Sequence, residues 1–479
     1  MTDGRAGARL SAFTLGVVAA ASGLLPPRVR YGYVHRITRA LLQKPQPAVH
    51  TPDTDPTSKP TSTSATVTPS SDLVCVLAAG ALDVGGIGSV VELLADQLPT
   101  AGITPAIVCF GDGARAQRIR DRGLVVLSVS DRASALRAFD ELRPDVIQLH
   151  GAPGFVESAA QASGAPLVPV MHNTEIHYST DRWRGLARLL DQATTGIAVS
   201  DVVHTFHAAH LPTPLQSRIV VIPNAAPGRS LPSRQQRRFA RGLVERAVGS
   251  AFHDDVVFAC LARYDAQKNV AGTVASFLNC VSAGVPAQLV IAGEPTDWVE
   301  FRRSDAIRRS SPSADRVHLL ATSDARTLFA AADAFLLNSF FEGWPVAATE
   351  AWTAGLPLIL SDVGGARELV ARDPARSALI SNASGDASAV SDRRVERARW
   401  RASHQSNSSE LGDAVLSVVG TVHRERVTQH VPRVVDDGVA AMIEAHARAL
   451  HGAALNKPSG GSTQRGRLSG DGARKVASS

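Results

Sequence analysis

Twelve short, β-branched apolar runs constrain the fold of this 479-residue chain more than any other feature. Seven lie at 73–79 (LVCVLAA), 106–110, 124–129, 145–150, 166–172, 196–200 and 219–223; five more lie at 256–262, 287–293, 317–321, 334–338 and 357–361. Helical or loop stretches separate them. Runs that are apolar throughout, rather than alternating, predict strands buried on both faces, hence parallel sheets covered by helices. The two series predict an α/β chain with two doubly wound, Rossmann-like domains facing a cleft, at 72–232 and 233–456, joined near 224–241. In such sheets ligands bind outside the carboxyl ends of the strands, so the loops after these runs are where chemistry is sought.

The flanks read differently. Residues 1–71 carry eight Arg/Lys against three Asp, and 457–479 carry five against one, so the overall +6 leaves the middle at −3. The basic character therefore belongs to the ends, and no nucleic-acid partner is expected of the body. The uncharged run 10–25 would reach about 24 Å as a helix, short of the roughly 30 Å hydrocarbon core of a bilayer. Within 28–44, Val34, Ile37, Leu41 and Leu42 recur at helical spacing among arginines, a pattern suited to an anionic membrane surface. Residues 1–45 are thus read as a basic, partly apolar segment for peripheral attachment, with a signal segment or a disordered extension as alternatives. Residues 46–71 read as a Thr/Ser/Pro-rich linker and 457–479 as a disordered tail. Four widely spaced cysteines without CxxC spacing predict reduced thiols in a cytoplasmic protein.

Several post-strand loops hold candidate groups. After 334–338, Glu342 lies in a loop, Pro345 suits the first turn of a helix, and Gly355 with Pro357 ends it, so Glu350 is helical. Eight helical positions separate two carboxylates by about 12 Å, too far for an acid/base pair across one bond but suited to gripping both ends of an elongated ligand. The N–H groups of Gly343, Trp344 and Val346 would be free at that helix start. After 256–262, Arg263 and Lys268 share a loop, a fork and a point charge that suit a diphosphate. Lys268 is the only lysine between Lys59 and Lys457, in a chain where only five of the 50 Lys/Arg residues are lysine. After the first run, Gly85, Gly86 and Gly88 precede a helix expected at 89–98; Val91 in place of a third glycine argues against a nicotinamide fingerprint. His150 and His172 end their strands at the edge facing the cleft. His204, His207 and His210 have no nearby Cys or Glu, and no metal site is expected.

The Glu342-x7-Glu350 segment followed by 361–368 (SDVGGARE) resembles the donor site of retaining GT-B glycosyltransferases, specifically glycosyltransferase family 4, over roughly 72–370. The resemblance implies that Glu342, with Gly343 and Trp344, contacts the donor sugar, that Glu350 holds the nucleotide ribose, and that Arg263, Lys268 and Gly86 bind the diphosphate. It places His150 beside the donor sugar as a catalytic-site residue with Glu342, and Gly86 and His172 on the acceptor side. It implies a nucleotide-sugar co-substrate, no cofactor and no metal, a saccharide or lipid-linked acceptor, and a role in cell-surface polysaccharide or glycolipid synthesis. Ala225 and Ala226 replace a usual glycine at the hinge, predicting a stiffer joint, and Leu320-Ala321 lacks a frequent glycine near the base. A helix at 439–450 is expected to cross back to the first domain. The rival readings are a GT-B epimerase or phosphorylase, and an inactive membrane-tethered sugar-binding protein. The inactive reading requires lost donor residues, and Arg263, Lys268, Glu342 and Glu350 are all present.

Overall fold

The computed structural model describes residues 2–23, 25, 35–43, 48–49, 73–83, 85–228, 231–428 and 438–456. In the first domain, strands β1 (Leu73–Ala79), β2 (Ile103–Phe110), β3 (Val125–Val129), β4 (Val146–His150), β5 (Leu167–Met171), β6 (Gly196–Ala198) and β7 (Ile219–Val221) form one parallel sheet in the order β3-β2-β1-β4-β5-β6-β7. In the second, β8 (Val256–Leu261), β9 (Ala287–Ala292), β10 (Val317–Leu320), β11 (Ala334–Leu337), β12 (Leu358–Ser361) and β13 (Ala378–Ile380) follow the order β10-β9-β8-β11-β12-β13. Every residue of β4, β5 and β9 is buried, as uninterrupted apolar runs require. All twelve predicted runs are strands. β13 escaped prediction because its apolar run is only Ala378–Ile380, bounded by Ser377 and Ser381, with Leu379 exposed.

Each sheet reverses its order beside its first strand, between β1 and β4 and between β8 and β11, and this opens a crevice at the carboxyl ends. The loops at that edge are the glycine loop after β1, the Arg263–Lys268 loop after β8 and the Glu342 loop after β11. The register pairs Ala79 with His150, so the histidine sits beside the start of the glycine loop. The helix after that loop runs Gly85–Gln97, earlier than expected, because Gly85 takes the left-handed turn (φ 69°) that starts it.

The last helix, Val439–Leu455, crosses back onto β4 and β5 as expected. Met442 and Ile443 are buried there, and the Ala225 N–H donates to Met442 Sδ at 3.3 Å. Ala225 and Ala226 are themselves buried, so the joint is packed under this helix. The two domains also share an apolar cluster in which Phe206 of the first meets Phe340, Phe341, Val390 and Val395 of the second. Glu368 Oε1 accepts from the Asp201 N–H at 3.2 Å across the same boundary. The cleft is held closed by these contacts.

The N-terminal run is a 22-residue helix, Thr2–Gly23, lying along the second-domain helix Trp298–Ser310. It turns Ala8, Gly16, Ala19 and Ser22 inward. A second helix, His35–Leu42, follows, and its Leu42 carbonyl accepts from Arg302 Nε at 2.9 Å. Among the described residues no helix is long and apolar enough to cross a membrane. The expectations for Val34, for all of the 46–71 linker except 48–49, and for 457–479 fall outside the described residues. All four cysteines are free, and burial pushes the Cys75 and Cys260 thiols up to about 12.

Candidate active site

Eight of the nine residues singled out from sequence line one cleft of about 600 Å³ between the domains: Gly86, His172, Arg263, Lys268, Glu342, Gly343, Trp344 and Glu350. The loop after β8 is shaped by Asp265, whose Oδ1 accepts the N–H groups of Gln267 and Lys268 at 3.0 and 3.1 Å. Its Oδ2 lies 3.1 Å from Arg263 Nη2. Burial raises the Asp265 pKa, while Arg263 and Lys268 pull it back. Asn269 then takes the left-handed conformation (φ 50°) that asparagine tolerates, turning the chain from Lys268 into the helix Val270–Ser282.

The Lys268 ammonium lies 2.5 Å from Glu342 Oε1. The same oxygen accepts from Ser339 Oγ at 2.6 Å, and Oε2 accepts from Gln267 Nε2 at 3.1 Å. Glu342 is 5% exposed, so its charge is held by an ion pair and two hydrogen bonds in place of water. The Glu342 loop rests on Gly364 and Gly365. A Cβ on Gly364 would stand 2.4 Å from the Gly343 carbonyl oxygen, and one on Gly365 2.0 Å from the Trp344 ring. This explains the paired glycines of the 361–368 segment. Pro345 caps the helix Val346–Thr353, which carries Glu350 on the cleft. The N–H groups of Gly343, Trp344 and Val346 make no protein hydrogen bond among the described residues and point a partial positive charge at the helix start.

The domains touch at two glycines. A Cβ on Gly343 would fall 1.7 Å from the His172 carbonyl oxygen, and one on Gly86 2.9 Å from Val346 Cγ2. Glycine at 343 is a condition of this approach, since it faces backbone, whereas Gly86 faces only a side chain.

Two placements correct the sequence reading. His150 is fully buried and does not line the cleft. Its Nδ1 meets His172 Nε2 at 2.9 Å and its Nε2 meets Gln148 Oε1 at 3.0 Å, while Gln148 Nε2 meets His446 Nδ1 at 3.0 Å. Because the Gln148 oxygen only accepts and its nitrogen only donates, His150 carries its hydrogen on Nε2 and His172 donates from Nε2. His172 therefore keeps a bare Nδ1, with its ring held from behind by His150. Burial, then His172 and His446, hold the His150 pKa well below its usual value; burial lowers His172 to about 4. The Trp344 indole is also buried, and its N–H is spent on Thr349 Oγ1 at 2.8 Å. Trp344 can offer a ligand its backbone, not its indole N–H.

Sequence reasoning missed Glu175, Asn224 and His207 as cleft residues. Burial pushes the Glu175 carboxyl up to about 7 against the pull of Arg182. His207 Nε2 and Asn224 Oδ1 are buried without a protein partner among the described residues. His207 Nδ1 is spent on the Val203 carbonyl at 2.9 Å. An His-rich helix and a hinge asparagine were visible in the sequence, but their orientation towards the cleft was not.

Two family models match the chain: Glycosyltransferase Family 4 over 84–227, and Glycosyl transferases group 1 over 244–393. Together they span more than half of it, one on each domain. The chain belongs to the family 4, group 1 glycosyltransferases. Among solved structures, this glycosyltransferase is similar to HepE of Anabaena in complex with UDP and glucose, with 15% identity and a TM-score of 0.57, covering 79% of this chain and 99% of that one. It is similar to a glycosyltransferase of Rickettsia africae, with 12% identity and a TM-score of 0.57 over 81% of this chain and 100% of that one. The catalytic domain of starch synthase IV from Arabidopsis thaliana, bound to ADP and acarbose, matches at 14% identity and a TM-score of 0.54, over 80% of this chain and 100% of that one. At these identities the likeness is one of fold, the two-domain GT-B architecture. No curated protein matches the chain.

Proposed function

We propose that this glycosyltransferase moves a sugar from a nucleotide-diphosphate donor to an acceptor hydroxyl with retention at the anomeric carbon. The acceptor is a saccharide or a lipid-linked saccharide in cell-surface polysaccharide or glycolipid synthesis, and residues 1–45 meet an anionic membrane on its cytoplasmic face. The convergence of Arg263, Lys268, Glu342 and Glu350 from the second domain on one cleft carries the reading. Nucleotide-bound relatives of this fold, HepE with UDP-glucose among them, support a nucleotide-sugar donor.

In this reading Glu350 holds the ribose, Arg263 and Lys268 neutralise the diphosphate, and the free N–H groups at Gly343 and Trp344 meet the sugar or its phosphate. Glu342 takes donor-sugar hydroxyls, its position kept by Ser339 and Gln267. The acceptor oxygen attacks from the face the diphosphate leaves. The anomeric carbon–oxygen bond to phosphate breaks, the bond to the acceptor forms on the same side, and a diphosphate oxygen takes the acceptor proton. No enzymatic base is needed. The closed cleft excludes water, which strengthens these charges and limits donor hydrolysis.

The test is thermal denaturation of the purified protein with a panel of nucleotide sugars. A donor that binds only the folded state at 100 times its Kd adds about 2.7 kcal/mol. The proposal expects a rise in Tm with at least one of them, lost in Lys268→Ala. No shift with any nucleotide sugar or nucleoside diphosphate would overturn it.

A further inference from the structure

The helix Thr2–Gly23 is apolar on two opposite faces. Its inner face is built of small residues against Trp298–Ser310, with Gly16 passing over the Arg303 guanidinium, whose Nε would stand 3.6 Å from a Cβ there. Its outer face carries Leu10, Phe13 and Val17, at i, i+3 and i+7, which are 67, 63 and 41% exposed. The neighbouring helix His35–Leu42 adds exposed Ile37 and Leu41. An apolar stripe of this kind, left uncovered, marks an interaction surface. Arg5, Arg9 and Arg39 are exposed on these same two helices.

Beside the stripe, between the two packed helices, lies a cavity of about 270 Å³ lined by Arg9, Phe13, Arg303 and Trp400, among others. Arg303 forms part of it from within the protein and is fixed there, its Nη2 donating to the Arg399 carbonyl at 2.8 Å and its Nη1 4.0 Å from Glu300. Trp400 is half exposed at the rim. Two guanidiniums and two aromatic rings on the wall of one cavity, next to an apolar stripe, offer an anionic headgroup a site while the stripe enters the acyl boundary.

We propose that this face of the donor-binding domain docks on a bilayer of anionic phospholipid, with Leu10, Phe13 and Val17 inserted and a lipid phosphate between Arg9 and Arg303. The inference rests on the reading of residues 1–45 as membrane-facing, and it assigns the contact to one face and one cavity. It also differs from the sequence expectation, which placed the contact on 28–44. A second copy of the chain would cover the stripe but would leave the Arg9 and Arg303 guanidiniums of the adjoining cavity without an anion, which a phospholipid headgroup supplies.

The experiment is flotation of the full-length protein with vesicles of phosphatidylglycerol and phosphatidylcholine, and with phosphatidylcholine alone. The protein is expected to float with the anionic vesicles only, and less in high salt. Leu10→Glu/Phe13→Glu is expected to lower partitioning at least about tenfold, and Arg9→Glu several-fold, with Tm unchanged since all three side chains are exposed. Failure of the wild-type protein to float would overturn both this assignment and the membrane reading of 1–45. Undiminished flotation of both variants would overturn this face alone and leave that reading standing. A dimer in sedimentation that Leu10→Glu/Phe13→Glu abolishes, without vesicle binding, would give the stripe to a second copy instead.

Discussion

Replacing Lys268 by alanine separates a structural use of this lysine from a catalytic one. The substitution leaves the Glu342 carboxylate, 5% exposed, with only the Ser339 hydroxyl and the Gln267 amide as side-chain donors. Stranding one partner of a buried ion pair costs about 3–5 kcal/mol. Lys268 keeps 17% of its side chain in solvent and two donors remain, so the low end applies, about 3 kcal/mol. At about 2–4 °C per kcal/mol for a domain of this size, Tm falls by about 6–12 °C. Adding Glu342→Gln removes the stranded charge while keeping the shape, and most of the lost stability returns. Turnover does not follow. Lys268→Ala loses about 10²-fold or more, the cost of removing a charge that stabilises the leaving group, and the double variant stays as slow because its sugar contact is also altered. Scanning fluorimetry reads the first quantity and release of nucleoside diphosphate the second. If Lys268→Ala turned over within about threefold of wild type, or the double variant regained rate along with Tm, the assignment of Lys268 to the diphosphate would be refuted.

Gly343→Ala puts a methyl 1.7 Å from the His172 carbonyl, so the cleft is expected to open. Small-angle scattering should then show a larger radius of gyration and transfer should fall at least about tenfold with the fold intact; an unchanged radius and rate would remove the closure argument. Gly86→Ala meets only the movable Val346 side chain and should be milder in the same two assays. Stability should depend on acid through the buried histidines. Burial lowers His172 and His207 to about 4 and His446 to about 3, so below pH 6.5 the unfolded chain binds protons that the native one refuses. Native stability is therefore expected to fall as pH drops from 6.5 towards 4, by roughly 2 kcal/mol per histidine at pH 5. Glu175, raised to about 7, works the other way and offsets part of this. Urea denaturation between pH 7 and 5 checks the sum, and a flat profile would contradict the buried histidine chain. Alkylation of the native protein should spare Cys75 and Cys260, which are buried, and reach the half-buried Cys280 first; equal labelling of all thiols would contradict the core packing.

The strands and the loops that carry the chemistry were legible because a parallel sheet buried on both faces imposes uninterrupted apolar runs, and the ligand edge follows from topology. Lys268 stood out because it is the only lysine between Lys59 and Lys457 and it follows a strand. What was not legible depends on tertiary direction. His150 and His172 have the same local pattern, yet one is buried behind the other. Glu175 and His207 belong to the cleft only because of how the 172–180 loop and the helix Asp201–Ala208 are oriented. The N-terminal helix was visible as an apolar run, but its inner face of Ala8, Gly16 and Ala19 has meaning only against Trp298–Ser310. Domain closure left its trace in Gly343 and Gly86, although nothing in the sequence distinguishes a glycine needed for a turn from one needed for contact between domains.

Retaining transfer from a nucleotide sugar bound in the closed cleft fixes the stereochemistry of the new bond. Proton NMR of the product formed from an α-linked nucleotide sugar tests it most directly, through the anomeric coupling constant of the first product before it equilibrates. Retaining transfer gives a new α-linked glycoside, formed with release of one nucleoside diphosphate per bond and about 10²-fold or more slowly in Lys268→Ala. A β-linked product, or sugar released to water or isomerised with no acceptor bond formed, would contradict it.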